Sequence, residues 1–425
     1  MRSRNSAAVL TIGVFAMLVT TRMAAQTMPN SDSVLARLTA QAIAANPSIS
    51  ASRAIAFAAE RRVGPAGALP DPMLSLGVMN LTLPRFAFRE SDFTEVDVEL
   101  SQDFPWPGTL GARAGAARAQ AMSRHAEVAA RRREIVLRTA ELYYRLRYVA
   151  TARAILQTQR KLLAAAVEIA TSRYASTAAP QSDPLQARVA VARLDAEDAD
   201  LAQQQARTGA ELKALRGIRG AESLTIELLR PDAIASTLHR ADSVSTVSPD
   251  SLAAHPRVAA RQASLEAAER TVRAEQLGGR PDFSIMTRYG ARPLGSDFFS
   301  AFVGVRVPVW GGRKLASTAR ADADVARAEL EEETLALEAE LESTRAAVAS
   351  GESRLRLLVL QVVPSGRAAV DAVLRSYRVG QAPFLNVLAA EDSLYRAELE
   401  AVMVTAEHLT HLVVLQQLLS RETES

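Results

Sequence analysis

The sequence predicts a mainly α-helical protein that carries a small membrane-embedded β part. Three observations predict this class. Alanine, arginine, glutamate and leucine dominate a chain in which aromatic residues make up only 5%, a composition typical of long helices packed side by side. The same order of segments occurs twice along the chain. Each copy also contains short segments in which apolar and polar residues alternate, the pattern of strands with two different faces.

The first residues have the features of a secretory signal peptide, which we place at residues 1–25. Arg2 and Arg4 precede an apolar run from Ala7 to Val19, and the small residues Ala24 and Ala25 follow. The run is shorter than the ~20 residues that a helix needs to span a bilayer. The chain contains no cysteine, so we expect no disulfide and no lipid anchor. Any attachment to a membrane must then come from the fold.

The charges and the hydropathy narrow the choice of partners. The chain has 50 basic and 47 acidic residues, mixed along its length, and no basic block of the kind that binds nucleic acid. Beyond the signal peptide we find no apolar stretch of ~18 residues, so we expect no transmembrane helix. A closed β-barrel is the remaining way to cross a membrane.

An internal duplication with a period of about 200 residues organises the chain. Asn46-Pro47 begins a helical segment that contains Ala-Ala-Glu-Arg, and His255-Pro256 begins another with the same tetrapeptide. Pro105 and Pro308 then close the two strand regions, each beside a tryptophan and glycines. These features predict a first repeat at residues 31–218, a linker at 219–250 and a second repeat at 251–421.

Each repeat is expected to contain a helix, a β-hairpin, a very long helix and a return helix. In the first repeat, the hairpin, long helix and return helix are expected at about 73–103, 109–175 and 184–217. In the second repeat, they are expected at about 282–308, 313–378 and 384–420. The first strands of the two hairpins are weaker in alternation, and we place them at 73–83 and 283–289.

The strand segments predict a barrel with a wet interior. Over residues 93–102 the aliphatic Val96, Val98 and Leu100 alternate with the acidic Glu95, Asp97 and Glu99, and we assign these three acidic residues to the barrel lumen. In the second repeat, the apolar face from Phe299 to Val307 alternates with Ser300, Gly304 and Arg306. An ordinary half-exposed hairpin stays open as the alternative.

The strand count predicts an oligomer. Two hairpins give four strands per chain, whereas membrane barrels have at least about eight strands, and a water-filled lumen needs more. Several copies must then share one barrel by cyclic symmetry. Three copies would supply twelve strands.

The long helices are the other main prediction. From Thr109 to Tyr174 there is no proline, and after Gly115 no glycine, while apolar residues recur at helical spacing. At ~1.5 Å per residue this helix would be a rod of roughly 100 Å. Its counterpart in the second repeat contains Gly351 and Pro364, and we expect a bend or break near Pro364. A soluble coiled coil is the alternative for this part.

At these residues the sequence resembles the TolC family of outer-membrane efflux channels, and within it the branch that works with metal-exporting resistance-nodulation-division (RND) pumps. The resemblance extends from about residue 34 to residue 419. It rests on the segments ALPDPMLSLGVMN, SQDFPWPGTLG, VPVWGGRK and RSYRVGQAPFLNVLAAEDSLYRAELE.

The resemblance implies a homotrimer in which long antiparallel helices form an α-barrel in the periplasm. Four strands per protomer complete a 12-stranded β-barrel in the cell outer membrane. The implied function is the exit duct of a tripartite efflux system, which conducts small solutes, metal cations among them, without a cofactor. The implied partners are a periplasmic membrane-fusion adaptor, an inner-membrane RND-type pump and outer-membrane lipid.

The resemblance also assigns residues to the periplasmic end of the tunnel. In the family, the turns at this end dock the adaptor. The matching residues here are Arg173, Tyr174, Pro184 and Leu185 in the first repeat, and Tyr377, Arg378, Gly380, Leu385, Val387 and Leu388 in the second. Two simple helix connectors remain the alternative. Family members place two carboxylates three residues apart at the entrance. Here the matching positions hold Asn386 and Ala389, with Asp371, Glu391 and Asp392 nearby.

The sequence argues against an enzyme. It contains no nucleophile motif, phosphate-binding loop or dinucleotide fingerprint, and its five histidines are spread thinly. His408 and His411 share one helical face beside Glu407, but half-buried helix surface explains such a pair more often than a metal site does. Two alternatives to an efflux duct stay open: a tunnel that secretes protein or polysaccharide, and a helical envelope protein without a channel.

Overall fold

A computed structural model describes residues 32–81, 84–89, 91–220, 222, 224–237, 252, 254–309 and 312–419. The expected signal peptide lies outside these residues. Residues 221, 223 and 238–250 of the predicted linker also lie outside them. The predicted first repeat contains α1 (Ser33–Ala45), α2 (Pro47–Arg61), α3 (Val63–Gly67), β1 (Met73–Met79), β2 (Glu95–Phe104), α4 (Thr109–Ala175) and α5 (Ser182–Leu215). The short helix α6 (Pro231–Thr237) follows. The predicted second repeat contains α7 (Pro256–Gly278), β3 (Asp282–Ala291), β4 (Phe298–Arg306), α8 (Gly312–Leu357), a π-helical turn (Leu358–Val362), α9 (Val363–Arg378) and α10 (Phe384–Leu419).

Helix α2 of the predicted first repeat and helix α7 of the predicted second repeat begin in the same way. The side chain of Asn46 accepts a hydrogen bond from the backbone N–H of Ser48 at 2.9 Å, and Pro47 occupies the first turn. At the start of α7, His255 Nδ1 accepts from the N–H of Arg257 at 3.3 Å, again with a proline next in sequence. The first N–H groups of a helix have no partner within the helix. The side chain of an N-cap residue accepts a hydrogen bond from one of them, and a proline in the first turn has no N–H that needs a partner.

The longest helix, α4, spans 67 residues and is therefore about 100 Å long. It packs against α5, α7 and α10. Its buried side chains form successive layers with residues of both repeats: Leu142 and Leu146 with Leu38, Leu212 and Val402; Leu156 and Leu163 with Leu194 and Tyr395; Ala166 and Ala170 with Tyr377 and Val387. Lateral packing of this kind stabilises rods that helical propensity alone would not.

The counterpart of α4 in the second repeat is interrupted by the π-helical turn, Leu358–Val362. The sequence predicts a break near Pro364, and the deviation lies just before that residue. Proline has no backbone N–H to donate, and its ring collides with the carbonyl four residues earlier, at Leu360. The wider π turn accommodates both effects, so the helix continues into α9 without ending.

The expectation that the chain beyond the signal peptide lacks an apolar stretch of ~18 residues is wrong. By length and composition, a stretch within Lys314–Arg378 is apolar enough to cross a membrane, and only 17% of it is buried. Near the π turn this helix exposes Leu357, Leu360 and Val362.

The four strands form one antiparallel sheet in the order β1-β2-β3-β4. The middle pair joins the repeats, because β2 pairs with β3 from Val96 opposite Ala291 to Phe104 opposite Phe283. Among the described residues, β1 and β4 each have only one neighbouring strand. The first strand is shorter than the expected 73–83: it ends at Met79, and Asn80 begins the turn with a positive φ of 57°. A mainly helical chain with a four-stranded antiparallel sheet confirms the predicted fold class.

Candidate functional site at the helical tip and the inner wall of the sheet

The turn between α9 and α10 depends on Gly380. The N–H of Gly380 donates to the carbonyl of Tyr377 at 3.0 Å, and the N–H of Gln381 donates to that of Ser376 at 2.9 Å. These two bonds define a Schellman end. Gly380 has a φ of +80°, and a Cβ there would lie 3.3 Å from Nη2 of Arg173. Glycine is therefore the residue that this reversal requires.

The turn between α4 and α5 has the same geometry without a glycine. The N–H of Thr177 donates to the carbonyl of Tyr174 at 3.0 Å, and that of Ala178 donates to Arg173 at 2.9 Å. Thr177 adopts a φ of 60°, which is strained for a β-branched residue. Sequence reasoning missed Thr177. The signal was its spacing, since it follows Tyr174 at the interval that separates Gly380 from Tyr377.

The two tip turns are joined by three residues, Arg173, Asp183 and Tyr377, which we call the tyrosine clasp. The guanidinium of Arg173 donates to the carbonyl oxygen of Tyr377 and lies over its ring, 4.6 Å from the centroid. The hydroxyl of Tyr377 donates to Oδ2 of Asp183 at 3.1 Å. Asp183, 8% exposed, was also missed, because nothing in its local sequence marks it.

The clasp is protected from solvent. Tyr377 is 2% exposed, and burial, together with the hydrogen bond to Asp183, raises the pKa of its phenol to about 12. The hydroxyl therefore remains a hydrogen-bond donor throughout the physiological pH range. The ring of Phe384 packs 5.1 Å from that of Tyr377, and Pro184 and Val387 are buried beside them.

Other predicted docking residues are displayed at the tip. Tyr174, Leu185 and Leu385 are 44%, 52% and 63% exposed. Arg378, the last residue of α9, is exposed as well, while Leu388 is half-buried. The structure adds Val379, which is 69% exposed and was not singled out from the sequence. We call Tyr174, Leu185, Val379 and Leu385 the tip residues.

The residues considered for the tunnel entrance fall into two groups. Asp371, Asn386 and Ala389 are exposed. Glu391 is only 5% exposed, and its carboxylate accepts a hydrogen bond from Nε2 of Gln159 on α4 at 2.7 Å. Burial raises the pKa of Glu391. Its carboxylate thus lies in the interface between α4 and α10 in the described chain and does not face an opening.

The sheet has two chemically different faces. The outward face is apolar and exposed, and it includes Leu74, Leu76, Val96, Val98, Leu100, Ile285, Val303 and Val305. The opposite face carries the predicted lumen residues. There Glu95 is 5% and Asp97 8% exposed, because Arg288 lies over them. Its Nη2 is 2.5 Å from Glu95 and its Nε 3.5 Å from Asp97.

Close packing on the inner face depends on a glycine. Asp97 lies opposite Gly77 in the backbone register. A Cβ at Gly77 would come within 2.7 Å of Oδ1 of Asp97, closer than real contacts allow. The carboxylate of Asp97 therefore lies flat across the neighbouring strand instead of pointing away from the sheet. Glu99, by contrast, is half-exposed.

Together these features are typical of a membrane protein with long helices. One face of its sheet is apolar and the other is charged, and its long helices end in two turns of the same geometry. The family model described as Outer membrane efflux protein matches residues 38–218 and 247–421. The chain therefore belongs to the outer membrane efflux protein family, and the resemblance to this family is confirmed.

Individual relatives agree with this assignment. The chain is 27% identical over 252 residues to the outer membrane efflux protein BepC of Brucella suis, a match covering 52% of this chain and 53% of BepC. It thus spans about half the length of this curated relative. The crystal structure of CusC superposes with a TM-score of 0.78 at 14% identity, covering 93% of this chain and 95% of CusC. For VceC of Vibrio cholerae the TM-score is 0.73 at 19% identity, with 91% and 96% covered; both structures share the fold.

Family membership places the protein in the outer membrane, with its helical part in the periplasm. The family is one of outer membrane efflux proteins and not of enzymes. The tip and the inner wall of the sheet are then the parts of the chain where function is to be sought.

Proposed function

We propose that this chain is one protomer of a homotrimeric exit duct in a tripartite efflux system. It passively conducts small solutes from a periplasmic membrane-fusion adaptor and an inner-membrane RND-type pump to the outside. The observation that carries this proposal is the sheet, which has four strands, an apolar outward face and an inner face lined with charge.

The open edges of the sheet favour a shared barrel. Unpaired strand edges leave rows of N–H and C=O groups that cannot be satisfied in lipid. In the described residues, β1 and β4 each present one such edge. Pairing β4 of one copy with β1 of the next would satisfy both edges, and three copies give twelve strands, within the range of water-filled membrane barrels.

The tip residues support the docking of an adaptor. Tyr174, Leu185, Val379 and Leu385 expose apolar surface at the end of the rods, where the clasp holds the two turns of a protomer in a fixed relation. A rigid turn with exposed apolar side chains suits contact with the helical hairpins of another protein. We include Arg378 in this surface because its charge is exposed beside Val379.

The proposal is most specific in the solutes that it assigns to the duct. Metal cations are included because of the sequence resemblance to the metal-exporting branch. A duct of this kind performs no chemistry, and the energy for transport is spent at the inner membrane. Selection among solutes then belongs mainly to the pump.

Two experiments test the proposal. A strain lacking the gene should lose resistance to the exported solute, and purified protein in a planar bilayer should conduct ions. Loss of protein or polysaccharide secretion with intact resistance would favour the secretion tunnel. A detergent-free soluble protein without conductance would favour the non-channel envelope protein.

Opening at the tip can be tested separately. Disulfide cross-links between the turns at residues 377–388 of adjacent protomers should abolish export, because the helical end could no longer dilate. Reduction of the cross-links should restore export. Undiminished export with complete cross-linking would contradict an entrance at these turns.

A further inference from the structure

The inner face of the sheet carries acidic residues, together with arginines that pair with some of them. Strand β2 contributes four carboxylates, Glu95, Asp97, Glu99 and Asp103. Three arginines, Arg288, Arg292 and Arg306, approach three of these carboxylates. A fifth carboxylate, Asp282, lies at the helical end of β3, where it accepts a hydrogen bond from the N–H of Trp106 at 3.0 Å.

The three arginines lie in two clusters of paired charges. At the outer end, Arg288 donates a hydrogen bond to Glu95, and its Nε lies 3.5 Å from Oδ2 of Asp97. Nε of Arg292 lies 3.5 Å from Glu95. At the helical end, Nη2 of Arg306 lies 3.0 Å from Asp103. Paired charges of opposite sign present little net field to a passing ion.

Glu99 lies between the two clusters. In the backbone register its neighbours are Ser75 on β1 and Arg288 on β3. The guanidinium of Arg288, however, extends toward the outer end to reach Glu95 and leaves the level of Glu99. In the described part of the chain the half-exposed carboxylate of Glu99 makes no ion pair and no hydrogen bond.

We propose that Glu99 sets the preference of the channel for cations over anions, and that Glu95 and Asp97 hold Arg288 in place. This inference rests on the proposed trimeric duct, in which three copies of Glu99 form a ring at one level of the lumen. It divides the three predicted lumen residues into one that passing ions sense and two that are neutralised by Arg288 and Arg292.

The salt dependence of such a ring has a distinctive form. A charge on the wall acts over about one Debye length, ~30 Å at 0.01 M salt, ~10 Å at 0.1 M and ~3 Å at 1 M. The selectivity due to Glu99 should therefore be large in dilute salt and disappear near 1 M. A change in the width of the lumen would not depend on salt in this way.

The test is the reversal potential of the full-length protein in planar bilayers under a potassium chloride gradient. Glu99→Gln should lower the cation-to-anion permeability ratio by about twofold or more in dilute salt, with no difference near 1 M. Glu99→Lys should make the pore prefer anions. The matched control is the double variant Asp103→Asn/Arg306→Gln, which removes an exposed neutral pair and should keep the wild-type ratio.

A chemical readout gives independent information on assembled pores. A cysteine introduced by Glu99→Cys should react with the cationic reagent 2-aminoethyl methanethiosulfonate and shift the reversal potential toward anion preference. A cysteine introduced by Asp97→Cys should react far more slowly, because Arg288 covers that position.

The outcomes separate this inference from the proposed function. Wild-type protein that never conducts would overturn both. Wild-type protein that conducts, while Glu99→Gln and the modified cysteine at position 99 keep the wild-type ratio at every salt concentration, would overturn the role of Glu99 alone.

Discussion

Tyr377 connects the two repeats at the periplasmic tip through contacts of different kinds. Its ring receives the guanidinium of Arg173, its carbonyl accepts a hydrogen bond from the same group, and its hydroxyl donates to Asp183. Both the hydroxyl and its acceptor are buried. Removing the donor would therefore leave a buried carboxylate without this partner, and that costs more than losing an exposed hydrogen bond.

Tyr377→Phe should loosen the tip by about 1–3 kcal/mol, the usual cost of leaving a buried acceptor unsatisfied. Amide hydrogen exchange in the two turns should then accelerate about tenfold, since 1.4 kcal/mol corresponds to a factor of ten. Tyr174→Phe is the matched control, because the ring of Tyr174 is 44% exposed. Equal exchange rates in the two variants would show that the hydroxyl of Tyr377 does not hold the tip.

For individual residues, the sequence located the residues of the turns but not the distant residues that they contact. The Tyr-x-x-Gly pattern located Tyr377 and Gly380, because the pattern lies within one turn. The partner of Tyr377, Asp183, is 194 residues away in sequence, and no local pattern connects the two. Glu391 was considered for the entrance because it lies close to the second turn, yet its rotation on α10 points it toward Gln159.

At the scale of elements, the N-caps of α2 and α7 offer a comparison within one chain. Asn46 and His255 perform the same capping function, but only the imidazole can take up a proton. His255 is 6% exposed. Burial, reinforced by the positive charges of Arg133 and Arg257, lowers the pKa of His255 to about 4. The capping bond requires a neutral Nδ1, because a protonated imidazole has no acceptor.

His255 should make the protein sensitive to acid. Its folded pKa, about 4, lies below the value of ~6.5 expected in the unfolded chain. The stabilisation is therefore complete above pH ~6.5 and is lost as the pH falls toward about 4, by ~1–3 kcal/mol after allowance for solvent screening. His255→Asn, which copies the cap of the first repeat, should remove this loss in thermal unfolding followed at several pH values.

The control for this experiment is His125→Asn. The side chain of His125 is 59% exposed, so the variant should keep the wild-type pH dependence. If His255→Asn loses stability between pH 6.5 and 4 as steeply as the wild type, another group is responsible for the acid sensitivity.

The long helices show why interruptions are harder to predict than lengths. The absence of proline and glycine over 60 residues of α4 is sufficient to predict an unbroken rod. Pro364 predicts a defect, but the form of the defect depends on how neighbouring helices hold both sides of the break. Here α10 packs along α8, the π turn and α9, so the chain accommodates Pro364 with a π turn and continues directly into α9.

At the scale of the whole molecule, the sheet determines which side of the protein meets lipid. Val303 on β4 is 77% exposed on the apolar face, whereas Ser300, three residues earlier on the same strand, lies on the inner face with Glu99 and Arg288. Alternation in β2 and β4 predicted these faces from the sequence, because strand residues point to opposite sides in turn. The arginines that cover Glu95 come from β3 and the turn after it, and alternation within β2 could not reveal them.

Val303→Lys should impair membrane assembly, because a lysine on the lipid-facing side of a barrel costs about 2–4 kcal/mol near the bilayer midplane. Ser300→Lys introduces the same charge on the inner face and should be tolerated. The measurement is the amount of folded protein in purified outer membranes, detected by its resistance to urea extraction. Equal losses for the two variants would contradict the assignment of the faces.

The central claim is that one chain has too few strands for a pore and that identical copies complete it. Native mass spectrometry of the protein extracted from outer membranes in mild detergent tests this claim most directly. The account predicts a species of three chains, without a monomer that retains the protected β-sheet. A folded, detergent-free monomer whose four strands are protected from hydrogen exchange would contradict it.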